Sequence, residues 1–166
     1  MVMVTGKEDL VQSLIEAYLM EKGTMDFYSQ AAAKAINAEA RKMFKDLSVW
    51  ETQHMDYIGF LYKAMQDDRD IIGFETFKNK TDAPVTEAGI PVKDLEARLE
   101  KYEFLDDMGA LILALEIEGK SYALYSKLSK SAVDTNARVV FKEMMEQETR
   151  HVDYLKKLRM KLGETS

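Results

Sequence analysis

The sequence predicts an all-α four-helix bundle whose second and third helices are joined by a long connection. Proline is nearly absent from the 166 residues: Pro84 and Pro91 both sit near the middle, with Gly73 and Gly89 around them, and long proline-free stretches lie on either side. Within those stretches apolar residues recur every three or four positions, the period of a helix with one buried face. The connections between stretches then run short, long, short, which is the pattern of a bundle with one crossover.

The first helix is expected over about residues 6–36. Thr5 and Glu8 have the spacing of a capping box, and Leu10, Leu14, Ala17, Met25, Tyr28, Ala32 and Ala35 form its apolar stripe. A second helix, about 38–66, starts near Asn37 or Ala38, carries Phe44, Leu47, Ile58, Leu61 and Met65, and stops at the charged run Asp67 to Asp70. The crossover occupies about 67–104, with a short candidate helix at Val92–Lys101. The third helix follows over about 105–131. The fourth runs over about 134–162, from Asp134 as a candidate N-cap to Leu162 before Gly163. A helix of 28 residues is ~42 Å long, a length that a crossover of this size can travel back along. The whole chain is expected to form one domain.

Composition removes several classes of function. There is no cysteine, so disulfides, thiolate zinc sites, iron–sulfur clusters and cysteine nucleophiles are excluded. Lys and Arg number 23 against 29 Asp and Glu, a net charge of −6 that argues against a nucleic-acid partner, since phosphate binding needs a basic surface. The longest apolar run, Met108 to Leu115, is far short of the ~20 residues that a membrane span needs. No secretory signal is evident at Met1–Lys7, so the expected location is the cytoplasm. Leu111 to Leu115 leave helix three apolar nearly all round. That suggests a second covered face, against the crossover or a partner copy, and a homodimer is expected.

An internal repeat carries the chemistry. A shift of 97 positions lays Glu51-Thr-Gln-His54-Met-Asp-Tyr57 over Glu148-Thr-Arg-His151-Val-Asp-Tyr154, with five of seven residues identical. The same shift lays Glu21 on Glu118, Tyr28 on Tyr125 and Phe44 on Phe141. Each half therefore holds a Glu, a second Glu 30 residues later, and a His three residues beyond that. The two histidines are the only ones in the chain. At about 100° per residue, Glu51 and His54 fall inside the stripe of Phe44, Leu47, Ile58 and Leu61. Glu148 and His151 fall inside that of Phe141, Met144, Leu155 and Leu158.

Four carboxylates in a core would cost many kcal/mol or take up protons, and two divalent cations offset their charge. One Glu from each of two helices and Glu-x-x-His from each of the other two is a known di-metal ligand logic. The expected assignment puts Glu21 and His54 on one metal and Glu118 and His151 on the other, with Glu51 and Glu148 bridging. Oxygen and imidazole donors without sulfur suit iron or manganese. A lone Glu-x-x-His is a weak sign; two copies in register, in core phase, with both histidines used, are a strong one. Glu116 is a rival to Glu118 but breaks the 30-residue spacing and points about 200° away. Tyr28 and Tyr125, seven residues after Glu21 and Glu118, can each hydrogen-bond a ligand carboxylate. Tyr57 and Tyr154 read as packing residues, and Asp56 and Asp153 as solvent-facing.

These residues resemble the rubrerythrin-like branch of the ferritin-like superfamily. The similarity covers nearly the whole chain, and Glu21-Lys-Gly-Thr-Met-Asp-Phe-Tyr28 looks like that family's first-helix motif. The resemblance implies a ferritin-like four-helix bundle with a non-haem di-iron site that reacts with peroxide or dioxygen, or oxidises ferrous iron. Two departures stand out. Rubrerythrins typically carry a cysteine-ligated rubredoxin domain, which this chain cannot form. They also carry an extra Glu three residues after the third-helix ligand, where this chain has Ser121. The expected function is thus a di-iron oxidoreductase of oxidative-stress type, reducing hydrogen peroxide or dioxygen with electrons from an external donor such as a rubredoxin-type protein. An iron-storage protein with ferroxidase activity is the alternative, and a metal-free structural bundle the third reading.

Overall fold

The computed structural model describes residues 7–65, 106–133 and 135–164. Thr5 of the expected capping box, the stop at residues 67–70, the crossover with its candidate helix and the Asp134 cap lie outside the described residues. Four helices form: α1 (Lys7–Lys34), α2 (Ala38–Met65), α3 (Asp107–Ser131) and α4 (Thr135–Glu164). α4 continues through Gly163, where the sequence suggested a stop at Leu162. Glycine permits a helix to end but does not oblige it to.

Cross-helix contacts fix the direction of each helix. From α1 to α2 they run Ser29 to Ser48, Met25 to Ser48 and Glu21 to His54, so the two helices are antiparallel. α3 is antiparallel to α1, through Asp107 with Asn37, Glu118 with Tyr28 and Tyr125 with Glu21. α4 is antiparallel to α2, through Lys161 with Glu39, Tyr154 with Asp46 and Glu148 with His54. α2 and α3 are therefore parallel, and the first ends at the opposite end of the bundle from where the second begins. This is a ferritin-like four-helix bundle with a long crossover between helices 2 and 3.

Local chemistry sets the ends. Asn37 Oδ1 accepts from the Ala40 amide at 3.1 Å and caps α2, while Asp106 accepts from the Gly109 amide at 2.8 Å and caps α3. Asp107 accepts from the amides of Ile36 and Asn37, at 3.1 and 2.7 Å, and so ties the start of α3 to the α1–α2 turn. Arg41 donates to the Ala35 carbonyl, and its mate 97 residues on, Arg138, donates to the Ala132 carbonyl. The two short turns are thus closed by the same device.

The core divides into two apolar clusters. One joins Phe27, Tyr28, Phe44, Leu47, Leu111, Ile117, Leu155 and Leu158. The other joins Leu14, Tyr18, Ile58, Leu61, Tyr125, Phe141 and Met144. The 97-residue shift carries most of one cluster onto the other, so each half of the chain contributes to both. Burying each large side chain is worth about 1.5–3 kcal/mol. Tyr18, Phe27 and Ala31 are buried although they lie off the expected α1 stripe, because α1 packs against both α2 and α3. In α3 the all-round apolar run is split: Leu113 joins the core, while Ile112 is 56% exposed. Among the described residues, no helix is long and apolar enough to cross a membrane.

Candidate metal centre

Six ionisable side chains fill the space between the apolar clusters. Glu21 comes from α1, Glu51 and His54 from α2, Glu118 from α3, and Glu148 and His151 from α4. Five are completely buried and His151 is 3% exposed. Each sits in a helix interior, where glutamate costs little in propensity, so the backbone holds it without strain. The i, i+3 pairs turn carboxylate and imidazole to one side of a turn.

The geometry has a distinct division of roles. His54 Nδ1 lies 3.1 Å from Glu21 Oε1, 2.9 Å from Glu148 Oε1 and 3.6 Å from Glu51 Oε2. His151 Nδ1 lies 3.3 Å from Glu118 Oε1, 3.3 Å from Glu51 Oε1 and 3.8 Å from Glu148 Oε2. Glu51 and Glu148 thus each turn one oxygen to each histidine, whereas Glu21 lies against His54 and Glu118 against His151. The imidazoles stack, with centroids 5.0 Å apart and planes 12° from parallel. Two sets of four donors, Glu21-Glu51-His54-Glu148 and Glu51-Glu118-Glu148-His151, each gather one ligand atom per residue within 4.8 Å of one another.

Two tyrosines brace the cluster across the repeat. Tyr28 donates to Glu118 Oε1 at 2.6 Å, and Tyr125 donates to Glu21 Oε1. Each phenol serves the carboxylate of the other half, an exchange that helical spacing alone does not reveal. Burial would raise the Glu118 carboxyl, but hydrogen bonds from Glu148, His151 and Tyr28 with the His151 charge outweigh it and hold the group at about 2. Burial likewise favours neutral His54, yet the Glu21 charge and hydrogen bond, with Glu118 and Gln147, leave it above its ordinary value.

The donor set fits metal. Buried polar atoms are normally satisfied, yet Glu118 Oε2 is buried and makes no hydrogen bond among the described residues. Divalent cations would satisfy such atoms and offset the clustered carboxylates. Glu116 lies outside: it is half exposed and pairs with Lys120 at 3.3 Å. Ser121 is buried with no hydrogen bond to its hydroxyl among the described residues, and Thr24, its mate in the first half, donates to the Met20 carbonyl.

A cavity of about 640 Å³ opens between α2 and α4 and reaches His151; Trp50, Tyr57, Gln147 and Tyr154 help to line it. Trp50 stacks on His151, centroids 5.6 Å apart, and meets Tyr154 edge-on at 4.7 Å. Tyr154 is more than a packing residue, since its hydroxyl donates to Asp46 Oδ2 at 2.6 Å. Sequence reasoning passed over Trp50, Gln147 and Asp46. Trp50 and Gln147 are mates 97 residues apart, but they differ in type, and a search for matching residues skips such a pair.

Bundle and cluster together define a ferritin-like protein with a buried Glu/His site able to hold metal. The family model for rubrerythrin matches residues 12–159, and the chain belongs to the rubrerythrin family. Comparisons with curated proteins and with solved structures find no match.

Proposed function

We propose that the chain is a non-haem di-iron oxidoreductase that reduces hydrogen peroxide with electrons from a separate donor. The observation that supports this best is the sharing pattern: two carboxylates reach both histidines and the other two each lie against one. Glu21 and His54 would hold one iron, Glu118 and His151 the other, and Glu51 and Glu148 would bridge. Manganese suits the same donors. Bound as Fe(II), the pair would supply two electrons, the number that converts hydrogen peroxide to two waters.

The chain's own residues supply the rest. The four carboxylates balance the charge of two divalent ions. Tyr28 and Tyr125 fix the outer carboxylates. The apolar clusters on either side keep bulk water out, and the cavity at His151 gives a small oxidant its approach. With no cysteine, the chain has no rubredoxin-type iron of its own, so a rubredoxin-like partner is the natural donor.

Anaerobic titration of metal-free protein with Fe(II) should saturate at two ions per chain. Stopped-flow mixing should then show faster reoxidation by hydrogen peroxide than by dioxygen. Saturation at one ion or none removes the di-iron reading. A faster reaction with dioxygen, followed by growth of a ferric mineral, turns the assignment to iron storage.

A further inference from the structure

Trp50 and Tyr154 are not among the six clustered Glu and His residues, yet they line the α2–α4 cavity beside His151. The Trp50 indole lies against the His151 ring with planes 19° apart, and the Tyr154 ring meets the indole at 68°. The Tyr154 hydroxyl has a carboxylate acceptor, Asp46, in direct hydrogen-bond reach. Trp50, Tyr154 and His151 all line the cavity. The other half of the repeat has nothing equivalent. Gln147 stands in place of Trp50. Tyr57 stands in place of Tyr154 and is 38% exposed. Glu143 stands in place of Asp46 and accepts from Gln147 rather than from a tyrosine. Trp50 is also the only tryptophan in the chain. Indole and phenol are the side chains that most readily give up one electron, and a phenol does so when its proton has an acceptor at hydrogen-bond distance.

We propose that Trp50 and Tyr154 form a one-electron relay that feeds the metal centre from the His151 side when an oxidant demands more than two electrons. The proposal rests on the di-iron reading above. Dioxygen is the defining case: its conversion to two waters takes four electrons and four protons, and two Fe(II) ions supply only two of those electrons. In each pass Trp50 yields one electron inward through its contact with His151 and becomes a radical cation. Tyr154 then gives one electron to the indole and its phenolic proton to Asp46 Oδ2. A small one-electron reductant in the cavity, of the ascorbate type, gives an electron to the tyrosyl radical, which takes the proton back from Asp46. The relay ends unchanged with one electron moved inward, two passes complete the four electrons, and the four protons come from water that enters through the cavity at His151.

The test loads the protein anaerobically with two Fe(II) per chain, mixes it with dioxygen in the absence of reductant, and freezes it for electron paramagnetic resonance. A protein radical is expected. Ring-deuterated tyrosine should narrow its spectrum, which identifies the radical as a tyrosyl without any variant. Trp50→Phe should abolish the tyrosyl signal. Tyr154→Phe should replace it with a tryptophan signal, and Tyr57→Phe should leave it as in wild type. Ascorbate should remove the wild-type signal. Metal analysis of each variant confirms that the site is intact. If the irons bind and are oxidised but no radical forms, or if Trp50→Phe and Tyr154→Phe keep the wild-type signal, the relay is overturned and the di-iron reading stands. If no iron pair binds, both fall.

Discussion

Tyr28 and Tyr125 show what a single hydroxyl can do in a buried site. Each holds the outer carboxylate that approaches one histidine, and each does so from the opposite half of the repeat. Tyr28→Phe keeps the ring and removes the bond to Glu118. A bond of this kind, to a group that itself holds metal, is worth about 10–100-fold in affinity. The variant should therefore bind Fe(II) or Mn(II) more weakly by that factor in a competition titration, with the bundle still folded by circular dichroism; unchanged affinity would make the phenol a packing residue. Ser121 sets a second expectation. Rubrerythrins typically have a carboxylate at this position, and here there is only a buried hydroxyl, a poor ligand for a hard ferric ion. Glu116, the nearest spare carboxylate in sequence, faces Lys120. Both irons should thus keep His54 and His151 through oxidation. Crystal structures of the two redox states check this, and loss of either histidine on oxidation would show that a further ligand exists.

The helices are held in register by tertiary contacts as much as by their own patterns. Asp107 accepts from two backbone amides in the α1–α2 turn, 70 and 71 residues away. Asp107→Ala leaves both amides without that acceptor and should cost about 1 kcal/mol, a fall in Tm of about 2–4 °C. Metal stoichiometry should not change, because the turn lies at the end of the bundle, away from the cluster. The repeat made the helices and the six clustered residues legible, since matching positions such as Glu51 and Glu148 keep both type and phase. The crossed tyrosines were legible only as candidates, because spacing along one helix cannot say which neighbouring helix a side chain reaches. Asp107 and the Arg41–Arg138 pair were not legible at all, because they bond to backbone groups and leave no periodic trace. Trp50 was hidden for the opposite reason: it breaks the repeat, and its contact with His151 exists only once α2 and α4 are packed.

For the whole molecule, the buried cluster ties stability to pH in opposite ways with and without metal. In the metal-free protein Glu118 is held at about 2, below its ordinary 4.5, so its stabilising contribution is complete above 4.5 and lost as pH falls toward 2. His54 is raised above its ordinary 6.5, so its contribution is complete below 6.5 and lost as pH rises through the folded value. The metal-free bundle should therefore be most stable between those two ordinary values and weaken as pH rises through the folded value of His54. Metal inverts the upper limb. Its ligands must be deprotonated carboxylates and neutral imidazoles, so affinity grows as pH rises. Metal that binds only the folded state adds about 2.7 kcal/mol per site at 100-fold excess over Kd, or about 5–10 °C in Tm for a chain of this size. Calorimetry with chelator and with Mn(II), at about pH 5.5 and about pH 8, should show the gap between the two forms widening with pH. A gap that stays constant across that range would mean that any metal bound is held by groups other than this cluster, and the two-metal assignment to Glu21, Glu51, His54, Glu118, Glu148 and His151 would be wrong.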